Sequence, residues 1–227
     1  STLSSSSAAS DVYKRQLLVL SIFSAYFFRR ISLKRFFLCL SSFCAIRHAS
    51  WIFWRSIDIF SLIPALSLEP GHFHRLVTAG WIHADWIHVL GNILVIALVG
   101  VPLEQRLGAK RWILVYILGM LGGNIAWIGT HPDSWTPAVG ASGAAFGLLG
   151  AYMACWPEDK IEFPLLYLIR AWPVWLIALV RLGLEVYQMF TIQYGDSGET
   201  NIAHLAHFGG FLVAYIVARP IAKGGPS

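Results

Sequence analysis

The sequence predicts an all-α fold: a polytopic membrane protein, one bundle of six transmembrane helices. Three observations carry that prediction. Of 227 residues, 56% are hydrophobic and 13% charged, whereas soluble domains carry about 25% charged residues. Apolar runs recur at the roughly 20-residue length that crosses a bilayer. Lysine and arginine cluster in alternate loops between those runs, the asymmetry that orients membrane helices. The mean hydropathy of +0.61 agrees. The net charge of +5 is dispersed, which fits basic cytoplasmic loops and argues against nucleic-acid binding. Cys39, Cys44 and Cys155 form no disulfide or metal pattern and are assigned to packing.

Residues 1–16 are expected not to be native. The peptide "SSAASDVYKRQ" at 6–16 is encoded codon for codon by a nucleotide string that resembles the adapter of transposon-based sequencing libraries. It is therefore set apart from fold reasoning, and the native chain is expected to start at or after Leu17. Residues 17–61 form an N-terminal region that includes the first span, placed at 36–54 despite Arg47 and His48 within it. A central arginine costs about 3 kcal/mol on insertion scales. The shorter run 17–28, ended by Arg29 and Arg30, reads as the remnant of an earlier helix.

The later spans are clearer. Span two is expected at 86–103, span three at 111–129 and span four at 139–156. Span five is expected at 165–190, interrupted by Arg170, Pro173 and Arg181, and span six at 201–218. The functional core is placed at 62–218 and a short tail at 219–227. Arg106, Lys110 and Arg111 follow span two, Lys160 follows span four, and Arg219 and Lys223 follow span six. The loops at 130–138 and 191–200 hold no lysine or arginine. The first set is read as cytoplasmic and the second as extracytoplasmic, in a prokaryotic cytoplasmic membrane by default.

Span four is unusually thin. Gly143, Gly147 and Gly150 lie at i, i+4 and i+7, on one helix face. Small residues at this spacing let helix backbones approach in lipid, and Gly210 and Ala214 offer the same spacing on span six. Spans four and six are expected to pack together. From Gly140 to Trp156 the helix would reach about 25 Å, short of a hydrocarbon core of about 30 Å. Ser142, near its start, would then lie below the membrane surface. A helix N-terminus there offers free N–H donors for a developing negative charge.

A serine needs a base to act as a nucleophile. Span two carries His88 and Asn92 at i, i+4, and span six carries His204 and His207 one turn apart. Ionisable groups inside a membrane are functional candidates by default. Three helices thus bring a serine, histidines and an asparagine to one depth. A metal hydrolase would commonly show HExxH, which is absent. No carboxylate or cysteine is expected at the depth of His88 and His207, so no metal or other cofactor is assigned, "HFH" at 72–74 notwithstanding.

The stretches "HVLGN", "GASG" and "AHFGG", in that order on spans two, four and six, resemble the rhomboid family of intramembrane serine proteases. That family shows H-x-x-x-N, G-x-S-G and A-H followed by glycine on the same spans. "HRLVTAGWIHADWIH" resembles its first-loop stretch and "LEQRLG" its turn after the second helix. The resemblance implies a six-helix rhomboid-like bundle and a serine–histidine dyad without an aspartate. Ser142 would be the nucleophile and His207 the base, preferred to His204 because Gly209 and Gly210 follow it. His88, Asn92 and the Ser142 N–H would hold the oxyanion, with Gly140, Gly143, Phe146, His204 and Gly210 supporting. The implied partners are transmembrane protein substrates and membrane lipid, with no nucleic acid and no metal.

Three departures from the family pattern stand out, the first being the competition between His204 and His207. Phe146 replaces the usual tyrosine below the nucleophile, and His74 replaces the usual first-loop tryptophan. Two other function classes compete with the protease. A non-catalytic relative that binds membrane clients would lack the serine or the histidine. A transporter would show a repeat with matched interrupted helices, and the two halves of the sequence show none.

Overall fold

The structure, a computed structural model, describes residues 57–161, 171–193 and 204–223. The adapter-like segment and the expected first span at 36–54 lie outside the described residues. Two short helices, α1 (Pro64–Ser67) and α2 (Arg75–Thr78), belong to the first loop. The helix α3 (Trp86–Val95) follows, and a π turn over Ile96–Gly100 joins it to α4 (Val101–Leu107). Then come α5 (Ala109–Thr130), α6 (Ser142–Cys155), α7 (Val174–Gln193) and α8 (His204–Lys223). A two-residue strand pair, β1 (Lys160–Ile161) and β2 (Trp172–Pro173), precedes α7.

Asp85 caps α3, its side chain accepting the His88 backbone N–H at 2.8 Å, and so satisfies one orphan donor of the first turn. The π turn falls where Pro102 follows. Proline has no N–H to return to the carbonyl one turn back, and a widened turn absorbs that loss. Gly108, at φ 77°, ends α4 in a conformation that favours glycine and starts α5 at once.

Four helical segments are long and apolar enough to cross a membrane: Ile87–Leu107, Ala109–Thr130, Val174–Thr191 and His204–Lys223. Their outward faces carry Ile87, Leu179, Leu212 and Ile216, side chains that suit lipid better than water. The chain is an integral multi-pass membrane protein. Span three agrees with the sequence reading, whereas span two, expected to end at 103, continues to Leu107, so that all of "LEQRLG" but Gly108 is helical. Span six, expected to end at 218, continues to Lys223.

Span five differs. The helix starts at Val174, not at 165, and Pro173 does not interrupt it. Pro173 sits in β2, paired with Lys160, where its missing N–H costs no helix bond. Arg170 lies outside the described residues.

The helix α6 is the axis of the bundle. Its 14 residues make about 21 Å, and all but Ser142, Met153 and Cys155 are buried. Its glycines are the means of approach. A Cβ on Gly147 would lie 2.6 Å from the Gly119 Cα of α5, and one on Gly123 would lie 3.2 Å from the Gly143 Cα. Toward α8, which packs on α5 as well, a Cβ on Gly210 would collide with the Gly143 carbonyl, and one on Gly150 with the Phe211 carbonyl. The expected contact of spans four and six is present. The helix α5 closes on α6 just as tightly, through Gly119 and Gly123.

The first loop is tied down by backbone contacts. Leu62 and Ala138 exchange two backbone hydrogen bonds of 2.9 and 2.8 Å. Arg75 donates to the carbonyls of Ser61 and Asp58 at 2.8 and 2.7 Å. His74 bonds the Ile59 carbonyl at 2.9 Å through Nε2, so this departure from the family pattern still packs the loop.

Candidate active site

Ser142 is the first residue of α6, half-buried, with Ala141 in the cap position. The turn into it is held from the first loop. The Gly140 N–H donates to the Ala79 carbonyl at 2.9 Å, and the Ala141 N–H donates to His83 Nε2 at 3.3 Å. Gly140 takes φ 123°, a region that L side chains rarely enter. A Cβ there would also lie 2.6 Å from the His88 imidazole and 3.5 Å from Asn92 Nδ2. So the glycine before Ser142 makes room for the two α3 side chains singled out from the sequence.

His88 and Asn92 therefore flank the start of α6. Asn92 is buried, and its Nδ2 has no hydrogen-bond partner among the described residues. His83, in the loop before α3, stacks edge-on against His88 with centroids 5.1 Å apart. Burial pushes His83 down to about 4, with His88 adding to the effect and Asp85 opposing it. It is therefore neutral near pH 7 and accepts from Ala141. A cavity of about 200 Å³ opens beside these groups between α3 and α5, lined by His83, Asn92 and Ala141 and otherwise mostly by apolar side chains such as Ile93, Ile96 and Met120.

The other flank of α6 is built by α7 and α8. Phe146, one turn below Ser142, stacks face to face on His207, with centroids 4.5 Å apart and planes 6° apart. The aromatic departure thus keeps the stacking role. His207 and His204 are both buried. Each directs Nδ1 to the same carboxylate oxygen, Glu185 Oε2, at 2.7 and 2.6 Å. The second oxygen of Glu185 pairs with Arg181 at 2.9 Å, and the Arg181 guanidinium lies 5.0 Å from the Phe146 ring centre.

Glu185 overturns one expectation. A carboxylate does lie at the depth of His207, and it is 1% exposed. The ground on which the sequence argues against a metal falls with it, since Glu185, His204 and His207 offer ligand atoms within 4.8 Å of one another. Hydrogen bonds already satisfy this carboxylate, and the Arg181 cation on its other oxygen opposes a second cation. Sequence reasoning had a signal for Glu185. Arg181 and Glu185 are charged residues at i, i+4 in an apolar helix, a pair that such a helix holds only with partners. His83 carried a weaker signal, as one more histidine in a loop.

The polar residues thus gather at one end of the bundle, where α3, α6 and α8 all begin. Fold and site together define a class: a multi-pass membrane protein whose short, buried central helix opens with a serine between histidine-bearing helices. The chain belongs to the rhomboid family; the Rhomboid domain model matches residues 70–224. It is 29% identical over 153 residues to "RHOMBOID-like protein 5" of Arabidopsis thaliana, covering 66% of this chain and 44% of that protein. It is 32% identical over 146 residues to "Rhomboid-related protein 3" of Homo sapiens, covering 61% and 34%. It is 41% identical over 88 residues to "Putative rhomboid protease YdcA" of Bacillus subtilis, covering 39% and 44%. The chain spans less than half the length of these relatives.

Proposed function

We propose that the chain is an intramembrane serine endopeptidase that cuts membrane-protein substrates in or near their transmembrane segments. Ser142 attacks the scissile carbonyl. His207 takes the serine proton and returns it to the leaving amine, which frees an acyl-enzyme for water to hydrolyse. The side chains of His88 and Asn92, with the Ser142 N–H, stabilise the oxyanion. Gly140, Gly143 and Gly210 let the backbone close around these groups. On this reading the site opens to the extracytoplasmic side, and the lysine- and arginine-bearing loops face the cytoplasm.

One observation carries the reading. Ser142 starts a buried helix between two polar flanks, with His207 stacked on Phe146 one turn below it and His88 and Asn92 against Gly140. A general base on one side and spare donors on the other is the arrangement acyl transfer needs.

Fluorophosphonate labelling of the protein in mild detergent tests it without a known substrate. The protein is expected to label, and Ser142→Ala to abolish labelling. A folded wild type that stays unlabelled sinks the protease reading and favours a rhomboid-like protein that binds membrane clients without cutting them.

A further inference from the structure

We propose that Glu185 is a positioning residue for His207, the third member of a serine–histidine–glutamate relay. The inference rests on the reading of Ser142 and His207 as nucleophile and base. The resemblance implies a dyad only; the structure supplies a carboxylate at Nδ1 of the histidine.

Three features support it. The first is geometry. His207 presents Nδ1 to Glu185 Oε2 at 2.7 Å, a charge-assisted length. A carboxylate only accepts, so Nδ1 carries a proton, and the neutral ring then keeps its lone pair on Nε2. That is the tautomer a base needs to receive a serine proton.

The second is fixation. Glu185 receives three donors: His207 and His204 on Oε2 and Arg181 on Oε1. His204 thereby gains a role as the second donor that holds the carboxylate in place. The third is compensation. A buried carboxylate needs a paired charge and satisfied oxygens, and Arg181 supplies the charge from the same helix, one turn away. Phe146 contacts both Arg181 and His207, so one ring holds the base and meets the cation that neutralises its partner.

The full-length Glu185→Gln variant separates positioning from packing. Glutamine keeps the shape but has one acceptor oxygen. If that oxygen stays with Arg181, the amide NH₂ faces the imidazoles and demands Nδ1 as an acceptor. The proton then sits on Nε2 and the base is blocked. Fluorophosphonate labelling should slow by about 10²-fold or more, in the direction of the loss seen when a triad carboxylate is made an amide. The apparent affinity for a transmembrane substrate should be unchanged. Glu185→Asp should recover part of the rate, because it keeps the charge.

A second readout needs no variant. In protein labelled with ¹⁵N-histidine, His207 is expected to carry its proton on Nδ1 at neutral pH. Glu185→Gln that labels within about threefold of wild type, or wild-type His207 protonated on Nε2 alone, overturns the proposal. If Glu185→Gln does not fold, the wild-type tautomer decides. A wild type with the Nδ1–H tautomer that never labels removes the protease reading, and the positioning role with it. An unlabelled protein and a labelled one indifferent to Glu185 are therefore distinct results.

Discussion

The two flanks of Ser142 are built on opposite principles. The α7–α8 flank is saturated: Glu185 accepts from His204, His207 and Arg181, and Phe146 stacks on His207. The α3 flank is left open. Asn92 Nδ2 and His83 Nδ1 are buried without hydrogen-bond partners among the described residues, and the His88 side chain makes no hydrogen bond among them, its backbone N–H alone reaching the Asp85 carboxylate. A buried polar atom without a partner is costly unless a bound state supplies one. The saturated flank is suited to holding a base in one orientation. The open flank is suited to receiving a charge that exists only during reaction. His204 Nε2 is the exception, an orphan on the saturated side.

The largest effects should come from the groups that make and break bonds. Ser142→Ala and His207→Ala are each expected to reduce substrate cleavage by about 10⁴-fold or more, and not additively, because the two act as a unit. Single and double variants assayed on one transmembrane substrate check this. An additive double variant would break the proposed pairing.

The open flank should show smaller losses of a different kind. Asn92→Ala and His88→Ala are each expected to lower kcat by about 10²–10³-fold with little change in KM, as removal of an oxyanion donor does. Steady-state kinetics separates the two parameters. A change confined to KM would mean that these side chains bind substrate and do not meet the oxyanion. Asn92→Ala should also leave stability unchanged or raised, since it removes an unpaired buried donor. No variant of the saturated flank should do so.

Gly140→Ala tests the boundary between the flanks. The backbone strain at φ 123° is expected to cost about 1–3 kcal/mol. The added methyl must also displace the His88 imidazole, 2.6 Å away. Thermal unfolding in detergent should show the loss of stability. Activity should fall further than the folded fraction does, because the displaced group belongs to the open flank. Activity that tracks the folded fraction alone would show that His88 can move without consequence.

Much of this arrangement was legible in the sequence because membranes make polar residues conspicuous. His88, Asn92, His204 and His207 stand out in apolar runs, and the glycine spacing of α6 predicts its contact with α8. Other features depend on facts the linear order hides. The sequence shows Arg181 as a blemish in span five; only the packing of α7 on α8 turns it and Glu185 toward the histidines. Pro173 reads as a kink because the short pairing of Lys160–Ile161 with Trp172–Pro173 has no periodicity to announce it. The glycines of α5 lie in an ordinary apolar helix, and their role appears only in the packing, Gly119 against Gly147 of α6 and Gly122 and Gly123 against Val213 and Ala206 of α8.

The smallest expected effect sharpens the comparison by pH. His83 belongs to the open flank, yet it accepts the Ala141 N–H just before Ser142. It can do so only while Nε2 is unprotonated. Its pKa, pushed down to about 4 chiefly by burial, lies below the ordinary histidine value of about 6.5. Between these values the unfolded chain takes up the proton and the folded chain does not. Its influence is therefore absent above about pH 6.5, and it lowers stability as the pH falls toward 4. The unfolding midpoint in detergent should drop by several degrees across that interval. His83→Gln keeps an acceptor for Ala141 but does not titrate, so its midpoint should fall less. Equal slopes in the two proteins would show that the acid sensitivity lies elsewhere, with the buried carboxylate of the saturated flank as the group to test next.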